Sequence, residues 1–462
     1  MFYCLNQDLL LRGWEKLPTG IVRPLSGEVY FVDPGLYFKI QNMDWMLFEG
    51  SPFMTKQESE ALKKFVELGT ADLCEHPRPL TEKQKYHMYP NRYLRAVHWA
   101  ITGKCNCRCR HCYMSAPSGN AGDFTHEECM QIIDQMEAAG IQVVSLTGGE
   151  ALVRKDFLEI ADRLTKAGIK IDIIMSNGLL VNEDLLKALE AMGQKPEFNM
   201  SFDGIGCHDW LRGVDGAEEK VLHAFELCRE NGFPTGAEYC LHKGNLHAFR
   251  ESVKLLASLG CRSLKVNGLS AEGEAMGIQD QILTLDEEYQ FYLDYIPEFY
   301  EDAEPLKLML SGLFMNTGEK KAAMSFVKMP EDKDCGNYCL CGHARNYMYI
   351  SPDGYIVPCI PIGSVENGRN KFPNIREMPL TQALNDSFYM SFIDTRLNQY
   401  FKENPECEAC EYRNRCAGGC RGQAVQYGTL MGKDLNTCSF YKDGWYDRLK
   451  KLLEELGVEF NC

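Results

Sequence analysis

The chain has 462 residues, a formal charge of -16, 45% hydrophobic and 25% charged residues. That length and balance suit a soluble globular protein of two to four domains. No apolar run approaches the ~18 residues that span a bilayer, no secretory signal opens the chain, and Lys and Arg form no dense cluster. The expectation is a cytoplasmic protein that engages neither membrane nor nucleic acid.

In chain order, residues 1–90 read as a small α+β unit. Residues 28–33 and 36–41 read as strands, and residues 55–69 as a helix capped by Thr55 and stopped by Gly69. Residues 76–93 read as a linker. From about Leu94 the pattern alternates. Strands are expected at 95–101, 141–146, 169–175, 197–202, 235–241 and 262–269, with helices at 125–140, 156–168, 182–193, 218–232 and 248–260 between them. A further helix is expected over 283–300. Such alternation implies right-handed crossovers and a parallel sheet. Six units fall short of a closed eight-unit barrel, so the fold class is α/β with a partial (β/α)6 TIM-like barrel, and function belongs at the C-terminal strand ends. From about Asp334 regular alternation stops and Cys, Gly and Pro become dense, as in a domain held by metal. Residues 449–457 read as a last amphipathic helix. The expected divisions are 1–90, 91–310, 311–445 and 446–462.

There are 21 cysteines. In a long chain without a secretory signal, clustered cysteines point to metal or redox chemistry rather than disulfides. Four lie within Cys105 to Cys112 and nine between Cys335 and Cys438. The other eight (Cys4, Cys74, Cys129, Cys207, Cys228, Cys240, Cys261 and Cys462) read as small buried hydrophobes.

After the first barrel strand, Cys105, Cys109 and Cys112 fall at C-x3-C-x2-C. Four-iron clusters normally take four thiolates, so three leave one iron open, by the logic that separates catalytic from structural zinc sites. A zinc site and a redox dithiol are the plain alternatives. Cys107 intrudes and permits a C-x4-C reading. Further loops follow later strands: Gly148, Gly149 and Glu150; Ser176, Asn177 and Gly178; Ser201 to Gly204; and Arg212. Each alone could be turn chemistry.

Taken together, with Tyr113 after the last cysteine, these motifs resemble the radical SAM superfamily. The resemblance implies that S-adenosylmethionine chelates the open iron and is cleaved reductively to a 5′-deoxyadenosyl radical. Tyr113, Gly148, Gly149, Glu150, Ser176, Asn177, Ser201, Asp203 and Arg212 are then the candidate cofactor contacts, with Arg212 on the methionine carboxylate.

The later cysteines read Cys335-x5-Cys341, then Cys359 after a Gly turn. Cys407, Cys410, Cys416 and Cys420 follow at C-x2-C-x5-C-x3-C, and Cys438 closes the set. This resembles the SPASM extension of radical SAM barrels. It implies one cluster on Cys335, Cys341, Cys359 and Cys420 and another on Cys407, Cys410, Cys416 and Cys438, three [4Fe-4S] clusters in all. Cys339 is a competing ligand for the first, and a pair of zinc ribbons is the plain alternative.

SPASM enzymes act mainly on peptides, which implies a maturase forming a thioether or carbon–carbon crosslink, or doing related hydrogen abstraction. An external one-electron donor such as flavodoxin or ferredoxin is implied. Sulfatase maturases place an Asp directly after the Gly-turn cysteine, whereas Ile360, Pro361 and Ile362 follow Cys359 here. Residues 1–90 resemble a leader-peptide recognition domain of winged-helix type, the alternative being a packing extension. The competing functions are radical chemistry on a small molecule and a non-catalytic iron–sulfur or zinc scaffold. No catalytic acid or base stands out.

Overall fold

A computed structural model describes residues 1–116, 121–324 and 334–461. Cys462 lies outside the described residues.

The N-terminal unit holds β1 (Phe2–Leu5), β2 (Leu10–Glu15), β3 (Leu17–Arg23) and β4 (Glu28–Phe31), then α1 (Pro34–Asn42), α2 (Lys56–Glu67), β5 (Ala71–Cys74) and β6 (His87–Arg92). β1 pairs with β5, and a second sheet runs β4-β3-β2-β6. The strand expected at 36–41 is instead α1. Asp33 caps it, accepting from the backbone N–H of Gly35 at 2.8 Å and Leu36 at 3.3 Å, and Pro34 pre-sets the first turn. The expected linker contains β6, which pairs in parallel with β2. α2 follows expectation, with a reciprocal Thr55–Glu58 capping box.

The six expected βα strands are present as β7 (Ala96–Ala100), β8 (Val143–Thr147), β9 (Lys170–Ser176), β10 (Glu197–Ser201), β11 (Thr235–Leu241) and β12 (Ser263–Gly268). The crossovers run through α3 (His126–Ala139), α4 (Phe157–Lys166), α5 (Glu183–Ala191), α6 (His208–Arg212), α7 (Ala217–Glu230) and α8 (Phe249–Ser258). α9 (Leu285–Glu301) follows. Side chains alternate across each strand. Val97, Trp99, Tyr239 and Leu241 are buried in the apolar core, while His98, Glu238 and Cys240 lie on the opposite face, the lumen.

Later segments extend this sheet at both edges. β13 (Lys307–Leu310) adds in parallel beside β12, followed by β14 (Phe314–Gly318) and β15 (Lys321–Ala323). β16 (Tyr347–Ile350) adds in parallel beside β7 and carries β17 (Ile356–Val357). β18 (Glu459–Asn461) pairs with β15. The C-terminal region thus grips the sheet from both sides. The sheet does not close, since β17 and β18 end it.

The N-terminal unit seats on the face opposite the barrel mouth. Leu25 N–H donates to Gly168 O at 3.1 Å, and Lys170, which opens β9, reaches Ser26 O at 3.4 Å. Trp14 is fully buried and donates from Nε1 to Ala139 O at 3.1 Å, with Tyr89 stacked on its ring at 5.1 Å. Arg92 ties the unit to the C-terminal region through both oxygens of Asp394. Among the described residues no helix is long and apolar enough to cross a membrane.

Candidate functional site

The loop after β7 is docked on four sides. Arg108 N–H donates to Arg212 O at 3.1 Å and Arg110 N–H to Leu211 O at 2.8 Å, which seats it on α6. Glu274 N–H donates to Cys112 O at 3.0 Å from the loop after β12. Gly149 N–H donates to Thr102 O at 2.9 Å and Glu150 N–H to Lys104 O at 2.9 Å. The glycines are required there. A Cβ at Gly148 would lie 2.3 Å from Thr102 O, and one at Gly149 would lie 2.4 Å from Lys104 O.

The fourth side is the turn after β9. Asn177 Nδ2 donates to Asn106 Oδ1 at 2.7 Å and to Cys107 Sγ at 3.2 Å. Glu150 joins this turn to the glycine turn. Its carboxylate is buried and accepts from Asn177 N–H at 2.7 Å, Ser176 Oγ at 3.0 Å and Leu152 N–H at 3.0 Å. Burial raises its pKa, and those hydrogen bonds oppose the rise.

Arg212 and Asp203 form a second buried unit. Arg212 Nε donates to Asp203 Oδ2 at 2.7 Å, and His208 Nδ1 approaches the same oxygen at 3.0 Å. Asp203 Oδ1 accepts from Cys240 N–H at 3.0 Å. Burial alone would raise the Asp203 pKa, but Arg212 and His208 outweigh it and hold it far below the usual carboxylate range. Arg212 Nη1 reaches Cys109 Sγ at 3.8 Å. Cys107 and this guanidinium both favour the Cys109 thiolate, the form a metal requires.

The nominated contacts therefore divide by role. Glu150, Ser176 and Asn177 hold each other and the loop in place, and Asp203 holds Arg212, so all four act as positioning groups. Gly148 and Gly149 present backbone, Arg212 faces the loop, and Ser201 ends β10 opposite Glu238. Tyr113 lies beside Tyr349 of β16. His208 and His111 were not singled out from sequence. His208 carries no motif signal, being visible only through its contact with Asp203. His111 directly precedes Cys112, and burial pushes its pKa down to about 3. Its Nδ1 is buried without a partner among the described residues, an orphan atom that suits an adjacent bound group.

In the C-terminal region, Cys407, Cys410, Cys416 and Cys438 line one open pocket, together with Tyr400 and Asp434. Cys341, Cys359 and Cys420 lie within electrostatic reach of one another. Cys335 is fully buried with its Sγ 3.7 Å from Arg413 O, and the structure does not place it visibly with those three. Cys339 is held elsewhere: Arg345 Nε donates to its sulfur at 2.6 Å and Arg396 Nη1 at 3.0 Å. Among the described residues, no three Cys, His, Asp or Glu side chains gather closely enough to hold a single metal ion. Tetrahedral zinc with ~2.3 Å bonds needs sulfurs about 3.8 Å apart. A four-iron cluster gives each thiolate its own iron and accepts a wider set. The donor chemistry, the glycine cradle and the pocket lined by four thiols fit iron–sulfur clusters.

Comparison with known proteins agrees. Residues 99–256 match the radical SAM superfamily, and residues 339–411 match SPASM, an iron–sulfur cluster-binding domain. The chain is 26% identical to an AdoMet-dependent heme synthase of Nitratidesulfovibrio vulgaris, covering 71% of this chain and 87% of that protein. It is 24% identical to a PqqA peptide cyclase of Granulibacter bethesdensis, covering 70% and 81% respectively. Streptococcus suis SuiB, solved bound to its precursor peptide SuiA, has the same fold at 16% identity, with a TM-score of 0.61 over 94% of this chain and 99% of that one.

Proposed function

We propose that this chain, a radical SAM/SPASM enzyme, reductively cleaves S-adenosylmethionine and uses the radical to modify a ribosomally made peptide. When bound, the open cluster and S-adenosylmethionine supply the radical; the chain supplies placement. Cys105, Cys109 and Cys112 would hold that cluster, and the Gly148–Gly149 cradle and Arg212 would seat the methionine end. His111 would lie against the bound cofactor. The eight nominated later cysteines would hold two further clusters, giving three, with Cys335 the least well placed of them. A one-electron donor of the flavodoxin or ferredoxin kind would supply electrons.

The observation that carries the peptide reading is the free edge of β4. The opposite edge strand of that sheet, β6, packs against α3, whereas among the described residues no strand pairs with the outer edge of β4. An unpaired edge accepts an extended peptide as an added strand. Aromatic side chains stand exposed on the same unit, with Phe38 at 52%, Trp45 at 52% and Phe53 at 50%. The likeness to SuiB spans nearly the whole chain, this unit included, which supports the same reading. On this reading residues 1–90 recognise a leader, 91–310 do the chemistry, and 311–445 carry the added clusters with 446–462 as a closing helix.

The heme synthase relative supports a second reading, radical chemistry on a tetrapyrrole-like small molecule. The deciding experiment is anaerobic turnover of the reconstituted enzyme with short peptides encoded beside its gene and, separately, with iron-coproporphyrin. A mass change in peptide with matching 5′-deoxyadenosine supports the maturase. Consumption of the porphyrin alone would replace it with the second reading.

A further inference from the structure

Of the cysteines outside the two sets, Cys129, Cys228 and Cys261 are buried in the core as expected. Cys240 is not. It lies on β11 between Tyr239 and Leu241, which are buried on the helix side, so strand alternation turns it toward the lumen, where it is half-buried. Its backbone is pinned on both sides. The N–H donates to Asp203 Oδ1 at 3.0 Å, and the carbonyl accepts from Asn245 Nδ2 at 2.9 Å.

Two buried charged groups mark the same space as facing a ligand. Arg212 is 8% exposed; its Nε and Nη1 have the partners given above, while its Nη2 has none among the described residues. Glu288 of α9 is 9% exposed. Its Oε1 accepts from Tyr292 Oη at 2.6 Å and Ser311 Oγ at 2.7 Å, and its Oε2 has no hydrogen-bond donor among the described residues. That second oxygen lies over the end of β12, so close that a Cβ on Gly268 would stand 2.2 Å from it. Cys240 sits in the field of Arg212, Glu288 and Cys109 together. A thiol is thus presented at the barrel mouth beside the cysteine loop, between a cation and an anion that each keep an atom free.

We propose that Cys240 is a hydrogen-atom donor to a carbon radical formed on the substrate in the lumen. This rests on the radical SAM reading and deepens it. The substrate C–H bond breaks first, its hydrogen leaving with 5′-deoxyadenosine. The Cys240 S–H bond then breaks homolytically, a new substrate C–H bond forms, and a thiyl radical remains. One electron from the low-potential donor that serves the clusters, and one proton from solvent, restore the thiol. No new bond joins two parts of the substrate. The carbon that lost hydrogen regains it from Cys240, and return to its other face gives the product class, an inverted stereocentre, a D-configured residue in a peptide.

The test needs no substrate. In D2O the Cys240 thiol carries deuterium, which an S–H bond yields more readily than water does. The reconstituted holoenzyme is given S-adenosylmethionine and titanium(III) citrate without added thiol, and the 5′-deoxyadenosine is read by mass spectrometry. Wild-type product should carry solvent deuterium at C5′. Cys240→Ala should lower that fraction several-fold, and so should Cys240→Ser, which keeps the volume but offers only a strong O–H bond. Unlabelled wild-type product, or equal label in all three, overturns the proposal while leaving the radical SAM reading intact. Absence of 5′-deoxyadenosine from every form overturns both. Independently, iodoacetamide should alkylate Cys240 in the folded holoenzyme faster than Cys129, Cys228 or Cys261. Equal protection of all four would overturn the lumen placement.

Discussion

Arg212 donates from Nε to Oδ2 of Asp203 at 2.7 Å, with the Asp203 side chain fully buried and that of Arg212 10% exposed. The pair holds a guanidinium against the cysteine loop. Removing one partner of a buried pair costs roughly 3–5 kcal/mol, because the other charge is left uncompensated. Asp203→Asn should therefore lower the unfolding free energy by an amount of that order and weaken S-adenosylmethionine binding. Denaturant unfolding and equilibrium binding check both. Unchanged values would show that Arg212 is held by other contacts.

Replacing Cys105, Cys109 and Cys112 together with Ala should abolish 5′-deoxyadenosine formation and leave the C-terminal clusters bound. Iron should then fall from near twelve to near eight per chain, counting ~4 per cluster. Cys107→Ala should leave iron and activity close to wild type, because Cys107 meets Asn177 rather than facing outward. Stoichiometric zinc, or about four irons in the wild type, would remove the case for two auxiliary clusters.

Deleting residues 1–90 would strip Trp14 from its niche on α3, so a point change tests peptide capture more cleanly. Val32 N–H donates to Thr19 O at 3.1 Å, and hydrogen-bonded pairs alternate along an antiparallel ladder. With Val22 opposite Val29, that alternation points the Val29 N–H outward from β4. Val29→Pro should remove a donor that an added strand needs while sparing the pairing to β3. One to two lost hydrogen bonds at about 1 kcal/mol each predict peptide affinity lower by roughly five- to thirty-fold. Calorimetric titration with the adjacent-gene peptide provides the measurement, and equal affinity would leave the unit as a packing extension.

His98 faces the lumen near His343 and Tyr347, with ring centroids 6.2 Å and 5.1 Å away. Burial, with help from His343 and Lys265, pushes its pKa from 6.5 down to about 4. The folded chain resists protonating it, so between those values the unfolded chain binds more protons. Its contribution is full above pH ~6.5 and is lost as pH falls toward ~4, up to about 3 kcal/mol in total. His98→Gln should flatten the stability-versus-pH curve over that window relative to wild type. Parallel curves would place His98 in contact with solvent.

The barrel was legible from sequence because crossover helices and buried strands each carry a strong period. Thr125, for example, caps α3 in a reciprocal box with Glu128 just where the apolar repeat begins. Residues 36–41 misled because Leu36, Tyr37 and Ile40 suit either period, and the Asp33 cap with Pro34 decided for a helix. β6 was missed since its residues are polar and exposed, and only pairing with β2 makes it a strand.

Sequence by itself determined that Cys105, Cys109 and Cys112 are grouped: cysteine spacing on one loop is a local property, and a loop of that length cannot present its thiols far apart. Only tertiary structure decided which later side chains serve that loop. Glu150 and Asn177 lie 27 residues apart, and Asp203 and Cys240 lie 37 apart, and each pair meets because parallel strands bring their C-terminal ends to one rim. The same strand arrangement, rather than any motif, turns Cys240 away from the core that holds Tyr239 and Leu241.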